Sequence, residues 1–243
     1  MTPRNRTIGT VAGFSPVIRL LSAGALALLL LLPLGTVSVR AAPTPPPQAS
    51  AASTTHVYLL RGVLNIFSLG LDDIATRLQA QGIPVTVSNF VSWSVLADEA
   101  AAGYRSGQIK TVILVGHSSG ATALPDMINK LGQLGVPVKL AIGLDSVFKT
   151  KLVGGNAERY INFYIASGAG EPVARNDGFH GKLENVDVQS VPGVGHITIE
   201  KNRIMQQKVI GEIDSVVFGK GKPLAPRMVA GRQRAASAAG ARN

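Results

Sequence analysis

Cysteine occurs nowhere in the 243 residues. A disulfide framework, a thiol nucleophile and a zinc–thiolate site are therefore excluded. Charge is sparse at 16%, and carboxylates are missing from both ends of the chain. Residues 1–40 carry Arg4, Arg6, Arg19 and Arg40 with no acid. Residues 220–243 carry Lys220, Lys222, Arg227, Arg232, Arg234 and Arg242, again with no acid. The stretch between holds 14 bases and 14 acids, so the net charge of +10 belongs to the ends. A neutral middle implies no specific nucleic-acid partner. No clean G-x-G-x-x-G joins a strand to a helix, which leaves dinucleotide redox chemistry without support, and no metal or organic cofactor is implied. A chain that is 46% hydrophobic can build a core, and its length suits one domain of ordinary size.

The longest apolar run comes first. Residues 20–39 are uncharged, follow a basic stretch, and lead into Val39-Arg40-Ala41, which offers small residues at the two positions a signal peptidase reads. Gly24, Pro33 and Gly35 weaken a spanning helix. Residues 1–41 therefore read as a cleaved signal peptide, with a signal anchor over residues 20–39 as the rival. The absence of an Arg-Arg pair favours the general export route over the twin-arginine route. Residues 42–54 form a Pro/Ala-rich spacer. A periplasmic or secreted location is expected, or an inner-membrane anchor if the segment is retained; membrane contact is expected through that segment alone. Residues 220–243, rich in Ala, Gly and Arg, predict a disordered basic tail.

Between the ends, apolar runs alternate with helical patterns. Strands are predicted over residues 56–62 (HVYLLRG), 83–90 (IPVTVSNF), 111–116 (TVILVG), 136–144 (VPVKLAIGL) and 159–166 (RYINFYIA). Residues 183–191 alternate as a half-buried strand does. Helices are predicted over residues 68–80, over 94–105 with Ser94 as N-cap, and behind residue 119 with a bend at Pro125. A last helix, residues 199–218, shows Ile204, Met205, Val209, Ile213 and Val216 on one apolar face. This alternation predicts an α/β fold: a mostly parallel sheet with helices on both faces. Such sheets carry their chemistry at the carboxyl ends of the strands, so residues just after a strand are the candidates.

Gly116-His117-Ser118-Ser119-Gly120 fits G-x-S-x-G. The pattern alone is weak, but it falls where the most apolar strand meets the following helix. A sharp turn there exposes a serine hydroxyl at the sheet's carboxyl edge, with a helix N-terminus behind it to favour developing negative charge. Ser118 is the candidate nucleophile. Ser119 is expected to contribute its backbone N–H to an oxyanion hole.

GHSSG after TVILVG, with a late GVGH, resembles the α/β-hydrolase superfamily over residues 55–219. Within that span, HVYLLRGVLNIFSLGLDDIATRL and GVGHITIEK look similar to small exported proteobacterial serine hydrolases of lipase or thioesterase type. The resemblance implies a compact α/β-hydrolase domain without a separate lid. It also places the histidine after the last strand, at His196. The other histidines fit less well: His56 begins a strand at the wrong edge, His117 adjoins the nucleophile and is expected to pack, and His180 sits in a polar loop. A histidine can take the serine proton and return it to the leaving group. For the acid, Asp145 directly follows the strand after the nucleophile helix, as in thioesterase-type relatives. Glu171, Asp177 and Asp187 stay as alternatives. The second oxyanion donor is expected from backbone at Gly62 or Val63, in the segment leading to Leu64, where Arg61-Gly62 stands in place of the His-Gly of many relatives.

Together these features predict an exported serine hydrolase that cleaves carboxylic ester or thioester bonds through a Ser-His-acid triad and an acyl-enzyme. Its partner is a small-molecule ester or a lipid. The rival reading is a non-catalytic envelope binding protein on the same scaffold.

Overall fold

Strands covered on both faces need apolar side chains pointing both ways. β1 (Thr55–Arg61), β3 (Thr111–His117) and β4 (Val138–Leu144) supply them. Along β3, Ile113 and Val115 enter one apolar cluster while Val112 and Leu114 enter a second. β1 divides in the same way, Val57 and Leu59 against Tyr58 and Leu60. The computed structural model describes residues 46–148 and 152–219. The expected signal segment, the first residues of the spacer and the basic tail lie outside the described residues.

With β2 (Val85–Asn89), β5 (Arg159–Tyr164) and β6 (Lys182–Asp187), the strands form one six-stranded sheet of order β2-β1-β3-β4-β5-β6. Every pairing is parallel. A short helix, α1 (Pro47–Ser53), precedes β1. α2 (Gly70–Ala80) and α5 (Arg203–Val217) cover one face through Leu71, Ile74, Leu78, Met205, Val209 and Ile213. α3 (Trp93–Arg105) and α4 (Ser119–Gln133) cover the other through Leu96, Ala97, Leu124, Met127 and Ile128. The predicted α/β class is the one observed. Strand order reverses at β1: the chain leaves it for β2 on one side and returns to β3 on the other, which opens a crevice beyond the carboxyl ends of β1 and β3.

Several boundaries differ from the sequence expectation, each for a local reason. Ser68 does not begin a helix but ends a 3-10 turn (Ile66–Ser68), and α2 starts at Gly70. α3 starts at Trp93, so Ser94 lies inside it; the cap has moved to Asn89, whose side chain accepts from the Val91 N–H of a 3-10 turn (Phe90–Ser92) running into the helix. α4 runs on through Pro125 to Gln133. α5 starts at Arg203 rather than residue 199, because Asn202 accepts from the N–H groups of Ile204 and Met205 and caps it there. Ile204 is consequently exposed and Val217 joins the buried face instead. β6 is a largely exposed edge strand ending at Asp187.

Candidate active site

β3 ends at His117 and α4 begins at Ser119, so Ser118 alone reverses the chain. It does so at φ 58° and ψ −127°, backbone that a residue with a side chain rarely adopts. Its N–H donates to the Leu144 carbonyl of β4 at 3.0 Å, which pins the turn to the sheet. The flanking glycines are required by close approach. A Cβ on Gly116 would collide with the backbone of Gly120, and one on Gly120 with the Leu60 carbonyl of β1. A Cβ on Gly62 would come within 3.0 Å of the Ser118 Cβ, so the segment after β1 packs directly on the serine.

Asp145 follows β4 directly, again at positive φ (48°), and is fully buried. One carboxylate oxygen, Oδ1, accepts from the Ile165 N–H at 3.0 Å; the other, Oδ2, lies 2.6 Å from His196 Nδ1. A carboxylate only accepts, which assigns the imidazole proton to Nδ1. His196 Nε2 is then the acceptor facing Ser118 Oγ, at 3.1 Å. The histidine rides on the segment between β6 and α5 with 34% of its side chain exposed. The three alternative acids are not brought to it: Glu171, Asp177 and Asp187 are exposed, and Asp187 accepts from the N–H groups of Ala166 and Gln189. His56 sits at the opposite edge, bonded to Thr86 Oγ1 and stacked on Tyr58, beside a groove of about 660 Å³. His180 is exposed.

Two further residues join this centre that sequence reasoning placed elsewhere. His117 is buried, and burial pushes its pKa down to about 4, so its imidazole is neutral near pH 7. Its Nε2 lies 2.8 Å from the His196 carbonyl and must donate to it, which leaves Nδ1 as acceptor for the Ser68 hydroxyl at 2.8 Å. Ser68 Oγ in turn accepts the Gly62 N–H at 3.0 Å. Gly62 is thereby corrected as an oxyanion donor: its N–H is spent on Ser68, and its role is to let the backbone lie against Ser118. The Val63 N–H is the next donor along that segment. Ser119 opens α4, where the first N–H groups have no partner within the helix. No local pattern flags Ser68, because its partner is 49 residues away.

Beside Ser118 and His196 is a cavity of about 120 Å³, walled by Val63, Leu64 and Ile197. Among the described residues no three histidines or carboxylates gather as a metal-ligand set.

No family model matches the chain, nor does any curated protein. Solved structures that resemble it include a candidate hydrolase of the alpha/beta superfamily from Xanthomonas campestris pv. campestris, 14% identical over 66% of this chain and 98% of that one, with a TM-score of 0.40. Human thioesterase 2 is 8% identical over 70% of this chain and 100% of its own, with a TM-score of 0.48. An acetylxylan esterase is 12% identical over 68% of this chain and 99% of its own, with a TM-score of 0.39. The fold itself, a parallel sheet covered on both faces with a strained serine between its third strand and the next helix, is the α/β-hydrolase arrangement that the sequence resembles.

Proposed function

We propose that this protein is a serine hydrolase of carboxylic esters or thioesters, with Ser118 as nucleophile, His196 as general base and Asp145 as its orienting acid. The observation that carries the reading is the pair of contacts on His196: Asp145 at 2.6 Å on Nδ1 and Ser118 at 3.1 Å on Nε2. As Ser118 Oγ bonds to the acyl carbon, its proton passes to His196 Nε2 and the carbonyl electrons move onto oxygen. Asp145 stabilises the imidazolium. The N–H groups of Ser119 and Val63 serve the oxyanion, each such donor being worth roughly 100- to 1000-fold in turnover. Collapse breaks the bond to the leaving group, which takes the proton from His196. Water, deprotonated by the same nitrogen, then releases the acid and restores Ser118.

Export through residues 1–41 favours carboxylic esters and lipids of the envelope over cytosolic carrier and coenzyme A thioesters. A fluorophosphonate probe tests the chemistry, applied to a chain beginning at Ala42. That chain retains all six strands and both apolar clusters. The parent is expected to label, and Ser118→Ala and His196→Ala, both folded, are expected not to. A folded parent that stays unlabelled would overturn the reading.

A further inference from the structure

Large apolar side chains exposed to water are gathered at one edge of this molecule. Val63, Leu64 and Ile66 follow β1; Val91 (69% exposed) and Val95 follow β2; Phe148 (82% exposed) follows β4; and Ile197 adjoins His196. All stand at the carboxyl edge of the sheet, and Val63, Leu64 and Ile197 line the cavity at Ser118. Of the large exposed hydrophobics among the described residues, only Leu152, Val186 and Ile204 fall outside the segments meeting there. The described rim stretches carry no charge: residues 62–69, 90–97, 146–148 and 192–199 contain no Lys, Arg, Asp or Glu, and Lys149 and Lys151 follow Phe148 in sequence. Exposed apolar side chains gathered at one edge in this way mark a contact with something apolar.

Three observations choose the occupant. The cavity beside Ser118 is about 120 Å³, room for roughly four water-sized groups, well below the pockets that enclose whole ligands. An acyl chain longer than a few carbons therefore lies outside it, on the rim. The described rim stretches present no charge with which to fix a protein segment in register, and none that would oppose entry into hydrocarbon. Finally, Val63, Leu64 and Ile197 of the rim line the cavity at the hydroxyl that would meet an ester, so whatever covers the rim must leave a carbonyl within reach of Ser118. We propose that this edge docks onto a lipid surface, with Val91, Phe148 and their neighbours among the acyl chains, and that the substrate is a lipid ester whose chains remain in that phase. The identity of the bond cleaved rests on the hydrolase reading above; the docking does not.

The test uses the chain from Ala42 as its Ser118→Ala variant, floated with phosphatidylcholine vesicles. A zwitterionic lipid gives the basic residues 220–243 no net charge to bind. The protein is expected to float. Val91→Asp and Phe148→Asp are each expected to lower its partition about tenfold, and together about a hundredfold. Thermal melts confirm that the variants fold, and Val91→Ser and Phe148→Ser serve if an aspartate prevents folding. A parent that stays with the aqueous phase overturns the proposal, as does flotation that the substitutions leave unchanged. Self-association of the parent without flotation, lost in the same variants, assigns the rim to a second copy and equally overturns it. Fluorophosphonate labelling of the Ser118 form keeps the two readings apart: flotation without labelling refutes the hydrolase alone, and labelling without flotation refutes the docking alone.

Discussion

Replacing Ser68 by alanine removes one oxygen and strands two buried groups. The Gly62 N–H loses its acceptor, and His117 Nδ1 loses its donor. His117 cannot turn to compensate, because its Nε2–H is held by the His196 carbonyl at 2.8 Å and its surroundings keep it neutral. Each stranded group costs about 1–3 kcal/mol, so Ser68→Ala should lose about 2–6 kcal/mol of stability. Urea unfolding followed through Trp93, the only tryptophan, measures this directly. The effect on the reaction is separate. Ser68 anchors the peptide preceding the Val63 N–H, so loosening it degrades the donor proposed for the oxyanion rather than for the bound ester. A fall of about tenfold in kcat on a short p-nitrophenyl ester is expected, with KM changed far less, since full loss of such a donor is worth roughly 100- to 1000-fold. Wild-type stability in the variant would show that these hydrogen bonds hold nothing. Lost stability with unchanged kcat would show that they hold the segment without placing the donor.

Asp145→Asn should preserve packing yet remove the acceptor that fixes the His196 tautomer; kcat is expected to drop about 1000- to 10,000-fold while circular dichroism is unchanged. His117 makes stability fall in acid. Its folded pKa of about 4 lies below the ordinary 6.5, so its contribution is complete above pH 6.5 and is lost as pH falls toward 4. Between pH 7 and 5 the loss is about 2 kcal/mol by urea midpoint, and His117→Gln should flatten that slope. Glu200 acts in the opposite sense: it is fully buried, desolvation raises its pKa, and Lys201 Nζ at 3.4 Å offsets this only in part. Its contribution is present below the ordinary carboxylate value and lost as pH rises through the raised one. Glu200→Gln should therefore gain about 1 kcal/mol at pH 8 and little at pH 4, read as the difference in melting temperature.

Strands that are apolar on both faces declare themselves in any order of reading, and β1, β3 and β4 do so. Ser118 was legible because a G-x-S-x-G pattern fell where the most apolar strand meets the next helix. The choice of acid was less so, since Asp145 stood beside Glu171, Asp177 and Asp187 and burial separates them: Asp145 accepts the Ile165 N–H, a partner that exists only once β5 has paired with β4. The start of α5 shows the reverse failure. Ile199 is buried in the same cluster as Met205 and Val209, so it extends their apolar pattern although it is not helical. Asn202 carried the true signal, a capping side chain in front of the helix. Ser68 and His117 had no signal at all, because a hydrogen bond across 49 residues leaves no period to read.

The strained residues of this site are held by the sheet rather than by the loops they belong to. Ser118 and Asp145 both sit at positive φ, a conformation that costs of order 1–3 kcal/mol each. Each is also the first residue past its strand, and each still bonds to the strand beyond. The Ser118 N–H donates to Leu144 of β4, and the Asp145 N–H to Phe163 of β5 at 2.8 Å. Val188 extends the series one step, its N–H donating to Tyr164 just before the histidine segment begins. The parallel ladder thus continues one residue past the end of successive strands and fixes the backbone from which Ser118 and Asp145 project. Their spacing is consequently a property of strand register. A slip of β5 against β4 would displace Asp145 from His196 before it disturbed any loop, which is why the contacts at 2.6 and 3.1 Å can persist in a site open enough to leave its histidine one-third exposed.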